Sequence, residues 1–194
     1  GITLTVLGNI IDFHPDFVSD YNGISSAIVY LAGGVVDGAT FDQRAAEWRK
    51  LQYRGARFKE IRLATEDDPE LGLTFSKVSD TELSVWATDP ATIEVAAIPA
   101  THPFGGVDGF AVTVIEQDAF KDAKNLCSVT VPESVREIRS GAFAGCDNAD
   151  LASIALPSTL QSIGARAFQG CTALAGATVA EPGALQTIGD SAFE

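Results

Sequence analysis

Hydrophobic and polar positions along the last hundred residues follow one score, repeated. Four Ala-Phe pairs, at 119–120, 142–143, 167–168 and 192–193, recur at intervals of 23, 25 and 25 residues. Five residues before each phenylalanine stands an isoleucine: Ile115, Ile138, Ile163 and Ile188. A short apolar alternation closed by a proline precedes the last three of these, as in Ile154-Ala155-Leu156-Pro157. An alternation of period two predicts a strand, and a proline, which has no N–H for the ladder, predicts a turn after it. One such unit cannot bury its own apolar edge, so a period of this length predicts a solenoid in which each unit stacks on the next. Ile115, Ile138, Ile163 and Ile188 should then form one inward ladder, and Phe120, Phe143, Phe168 and Phe193 another.

Upstream the pattern changes. Leu71–Val78, Glu82–Ala87 and Thr92–Ile98 alternate and are separated by Ser79-Asp80-Thr81 and Asp89-Pro90, which predicts an antiparallel meander. Phe110–Ile115, after the Gly105–Gly109 turn, resembles the hairpin that leads into the first repeat of the family named below, and such a hairpin would cover the open end of the solenoid. Before Leu71 the spacing predicts strands at 2–7, 24–31 and 58–63 and a helix over 43–54, with Ala45, Trp48 and Leu51 on one side. The expected fold class is therefore β-rich α+β. It comprises an α+β region of no recognised family at 1–70, a β meander and hairpin cap at 71–115, and repeats at 116–194. The chain stops at Phe193-Glu194, which fits either a fragment or a half-unit cap.

The segment Ser153-Ile154-Ala155-Leu156-Pro157-Ser158-Thr159-Leu160-Gln161-Ser162-Ile163-Gly164-Ala165-Arg166-Ala167-Phe168-Gln169-Gly170-Cys171 resembles the unit of the BspA-like (Treponema-type) leucine-rich repeat family. The resemblance covers about residues 92–194. Departures fall in turns: Ala123 stands for the cysteine, Glu116 and Arg139 for the glycine, and Asp147–Asp150 holds two extra residues. The resemblance implies a secreted or cell-surface bacterial protein, a scaffold that contacts host or cell-surface proteins. Two other readings stay open: a structural spacer in a longer surface protein, or a repeat stalk carrying an N-terminal carbohydrate-binding or enzymatic domain.

Composition narrows the partners. A formal charge of −13 repels phosphate backbones, so nucleic acid is not an expected partner. The longest apolar run, Ile24 to Val36, is too short to span a bilayer. Seven of the thirteen basic residues crowd between Arg44 and Arg62, as a solvated helix face would have them.

Chemistry is sparse. His14 and His102 each lie beside proline with no ligand at metal spacing, and no nucleophile elbow or phosphate loop occurs. The expectation is no enzyme, no metal and no cofactor. The acidic stretches Glu66–Glu70 and Asp147–Asp150 read as solvated loops rather than calcium loops. Cys146 and Cys171, at a repeat position, should be free and buried, with Cys127 the most accessible thiol. In a solenoid the outward strand positions meet partners, and these are Ser128, Thr130, Ser153, Ala155, Gly176 and Thr178.

Overall fold

The computed structural model describes residues 65–79 and 81–194 in full, and the backbone of strands at 3–6, 28–31, 35–36, 39–40 and 60–63. The chain falls into two units: Gly1–Thr65 with Ser76–Thr81, and Glu66–Phe75 with Glu82–Glu194. In the first, β1 (Thr3–Val6), β2 (Ile28–Leu31) and β5 (Glu60–Leu63) form a parallel sheet, and β3 (Val35–Val36) pairs with β4 (Ala39–Thr40) in an antiparallel hairpin. The helix expected over 43–54 lies outside the described residues, as do His14 and the basic cluster except Arg62, which falls in β5. Only strands occur among the described residues.

The second unit carries the repeats. Its strands are β6 (Glu66–Asp68), β7 (Leu73–Lys77), β8 (Glu82–Ala87), β9 (Val95–Ala97), β10 (Thr101–Phe104) and β11 (Val107–Ile115), followed by β12 (Ser128–Thr130), β13 (Glu137–Ile138), β14 (Ser153–Leu156), β15 (Ser162–Ile163), β16 (Gly176–Val179) and β17 (Thr187–Ile188). One wall is a continuous parallel ladder, β8-β11-β13-β15-β17, in which Val85, Ile115, Ile138, Ile163 and Ile188 are in register. The other wall pairs β9 with β12 and β14 with β16, also in parallel.

This corrects the meander in part. β6 pairs antiparallel with β7 and β10 with β11, and β8 follows β7 as its neighbour in the same sheet, with Thr88 N–H bonded to Gly72 O at 3.0 Å, as expected. β8 also pairs in parallel with β11, and β9 leaves for the opposite wall, so both are strands of the solenoid, one in each wall. Alternation specifies a strand and its two faces but not the direction of its neighbour, and residues 88–94 carry the chain to the opposite wall instead of back along β8. Glu66–Asp68, read as part of a loop, is likewise a strand.

Between the walls lies the core. Ile115, Ile138, Ile163, Phe120, Phe143 and Phe168 are buried, together with Leu126, Val135 and Leu160. The phenylalanine rings stack face to face, 120 on 143 at 5.0 Å, 143 on 168 at 5.1 Å and 168 on 193 at 5.0 Å, within 6° of parallel. Ile188 and Phe193 depart from the expected burial, being 57% and 48% exposed. Their rung has a neighbour on one side only.

The Ala-Phe turn is held rung to rung by main-chain bonds, Phe120 N–H to Ala142 O at 2.6 Å and Phe143 N–H to Ala167 O at 2.7 Å. Such a turn needs left-handed backbone on both sides of the phenylalanine. Two residues before it, Asp118, Gly141, Arg166 and Ser191 all have φ between 55° and 67°; two residues after it, Asp122, Gly145 and Gly170 have φ of 57°, 74° and 73°. A left-handed conformation costs an L-residue about 1–2 kcal/mol, part of which glycine returns through its freer unfolded chain. Arg166→Gly keeps the N–H that bonds Asp190 O. It should stabilise the protein by about 0.5–1 kcal/mol, read as a higher urea midpoint at unchanged slope.

Candidate functional site

Outward positions on the β9/β12/β14/β16 wall form a grid. Ser128, Thr130, Ser153, Ala155, Gly176 and Thr178 are all exposed, with Ser153 and Ala155 registered on Gly176 and Thr178. Val95 and Ala97, registered on Ser128 and Thr130, extend the grid by one rung that sequence reasoning missed. The signal was present: Pro99 follows Ala96 at the interval by which Pro132 follows Val129. None of the eight positions is charged, on a chain whose net charge is −13.

The other wall has a shallow groove of about 370 Å³ along β13, β15 and β17. Glu137, Ser162 and Thr187 line one side; Gly164 and Gly189 are among its lining residues, and Gln117, Arg139 and Ser140 stand at one end. Gly164 is forced by the stacking, since a β-carbon there would lie 2.6 Å from the carbonyl carbon of Arg139 and closer still to the nitrogen of Ser140. Gly189 repeats the geometry against Ala165. Where the glycine is replaced, charge holds the rungs instead: Arg139 bonds Glu116 at 2.7 Å and approaches Glu137 at 3.5 Å. Arg136 reaches Glu82 at 2.8 Å.

The thiols are structural. Cys146 donates to Phe120 O and Cys171 to Phe143 O, each at 3.0 Å, so each sulfur ties its turn to the rung before. The adjoining Cys171 thiol, and then burial, push Cys146 up, which keeps it a donor. All three cysteines are free, and Cys127 is the least buried of them.

Acidic residues in the two stretches have private partners. Asp147 meets Lys124 at 3.1 Å, and Asn148 donates to Lys124 O. Glu66 accepts from Gly105 N–H and Asp67 from the Thr74 hydroxyl. Among the described residues no group of acids, histidines and cysteines gathers that could hold a metal ion. Nor is any helix there long and apolar enough to cross a membrane.

His102, beside Pro103, is buried in β10. It stacks on Phe75 at 3.8 Å and bonds Asp68 through Nε2 at 3.1 Å. Thirty-four residues separate the pair. The N–H of Leu71 is the main cause holding the Asp68 carboxyl below the usual range, with His102 and the N–H of Glu70 adding to it against the opposing effect of burial. A carboxyl lowered by folding stabilises above its unfolded pKa, and that stability is lost as pH falls through the folded value. Asp68→Asn should therefore lower stability at neutral pH and flatten its decline below about pH 4, measured by urea titration across pH 2–7.

Comparison with known proteins bears on this architecture. A family described as the BspA type leucine-rich repeat region matches residues 110–194 in 6 copies. This segment is a BspA-type leucine-rich repeat region. A leucine-rich cell surface protein from Faecalibacterium prausnitzii A2-165 has a solved structure similar to this one, with 26% identity and a TM-score of 0.55, covering 67% of this chain and 34% of that one. The T. pallidum leucine-rich repeat protein follows at 22% identity and a TM-score of 0.47, covering 68% and 63%. The pneumococcal vaccine antigen PcpA stands at 19% and 0.47, covering 67% and 41%. The chain thus spans about a third of the length of the first of these structures and less than two thirds of the others. No curated protein resembles it closely enough to count as a relative. A repeat family of this type is consistent with a protein-interaction scaffold.

Proposed function

We propose that this chain is a non-enzymatic, surface-displayed adhesion scaffold whose repeats present the uncharged grid from Val95 to Thr178 to a protein partner. The carrying observation is the exclusion of charge from all eight outward positions of that wall on an acidic protein, which leaves a face that desolvates cheaply. The surface location rests on the similarity to a leucine-rich cell surface protein from Faecalibacterium prausnitzii.

Area limits the strength of the contact. Four short strands cover roughly 300 Å², against about 800 Å² per partner in a specific interface. The grid also lacks the Trp, Tyr and Arg anchors of strong interfaces. This chain alone should bind weakly, with a dissociation constant in the micromolar range or above, and gain strength only through additional surface.

The test uses intact bacteria of the source strain. Antibody against the chain should label unpermeabilised cells, and a photo-crosslinking residue at Thr130 or at Thr178 should give the same discrete protein adduct. Label that appears only after permeabilisation overturns the location. Adducts no different from those of a crosslinker at Asp108, on the β10–β11 hairpin, overturn the face.

A further inference from the structure

The grid is divided by a seam. β12 and β14 lie side by side, yet no ladder joins them, and the wall consists of two separate pairs. Thr130 O accepts from Ile98 N–H on the β9 side, while Ala152 and Leu156 carbonyls accept from Ala175 and Ala180 on the β16 side. Strand alternation therefore turns the main-chain groups of Val129 towards those of Ser153 and Ala155 across the seam. The break coincides with a longer approach to the strand. Eight positions separate Cys146 from Ile154, where six separate Ala123 from Val129 and Cys171 from Ala177.

Elsewhere the same two rungs are firmly joined. Ile115 registers on Ile138, Phe120 stacks on Phe143, and Asp122 N–H bonds Ala144 O at 2.8 Å. At the seam, side chains replace the missing ladder at both ends. Lys124 Nζ bonds Gly145 O at 2.9 Å and Asp147 at 3.1 Å, and the Ser158 hydroxyl bonds Glu133 at 2.8 Å. Both clasps are exposed, where water competes for their partners.

We infer that the β12–β14 seam is a hinge in the repeat wall: the longer turn at Asp147–Asp150 leaves the two rungs unzipped on the grid side while the stacked phenylalanines hold them opposite. The grid then bends at one defined line, between Thr130 and Ala155, and each half moves as a paired unit. The hinge stands whether or not a partner uses this face.

Spin labels test it on exposed positions. In a Cys127→Ser background, one protein carries labels at Thr130→Cys and Ala155→Cys, across the seam, and another at Ala155→Cys and Thr178→Cys, across the zipped pair. Frozen-solution line broadening should give a distance distribution at least twofold wider for the first pair. Equal widths overturn the hinge. Deleting Ala149 and Asp150 restores the six-position spacing and should narrow the seam distribution to that of the zipped pair. A folded deletion variant with unchanged width would show that the longer turn is not what opens the seam, and a variant that does not fold leaves the first comparison to decide.

Discussion

Replacing Phe143 with alanine lowers the unfolding free energy by about 3–5 kcal/mol, the largest loss expected from any single truncation in the repeats. Its ring is fully buried and stacks on a parallel ring on each side, at 5.0 and 5.1 Å. Removal leaves a gap that neither neighbour can close, because each is held by a main-chain bond to the next rung: Phe120 N–H to Ala142 O, Phe168 N–H to Ala192 O. Phe193, at 48% exposure with one stacked neighbour, should cost much less under the same change. Urea unfolding of both variants checks the ranking. Equal costs would mean that the column does not carry the stability of the repeats.

Gly164→Ala should be nearly as damaging, although it adds a single methyl group. That carbon would meet main chain, the nitrogen and α-carbon of Ser140 and the carbonyl carbon of Arg139, none of which can rotate away. The rungs must separate locally, at a cost of about 1–3 kcal/mol or more. Gly176→Ala is the control, since a β-carbon there meets nothing within 4 Å and the position is exposed. Thermal melts of the two variants should differ by several degrees, with Gly176→Ala close to the parent. A Gly164→Ala protein as stable as the parent would show that the rungs are looser than their hydrogen bonds imply.

The repeat register was legible because its carriers, Ile, Phe and Pro, are large or conformationally strict, so their interval shows in a bare sequence. The outward face was legible for the same reason, since alternation alone assigns Ser128 or Thr178 to it. β8 and β9 escaped because their rung has no Ala-Phe pair; Ala87 N–H bonds Ala119 O in its stead, a substitution only geometry reveals. The clasp of His102 with Asp68 escaped because nothing local connects residues on two strands that meet only in the folded chain. The glycines at 164 and 189 could be read as a repeated letter, but the reason for them, the closeness of the preceding backbone, lies in three dimensions.

The sulfur atoms have a consequence for where such a chain can exist. Its three thiols are free; Cys146 and Cys171 are buried and bonded to main-chain carbonyls, where access is restricted, and Cys127 is half-buried. Cohesion of the coil rests on stacked rings and main-chain ladders, so its covalent structure is the same in a reducing cytosol as in an oxidising exterior. The repeats need no oxidant to mature, since none of their three thiols is paired in a disulfide.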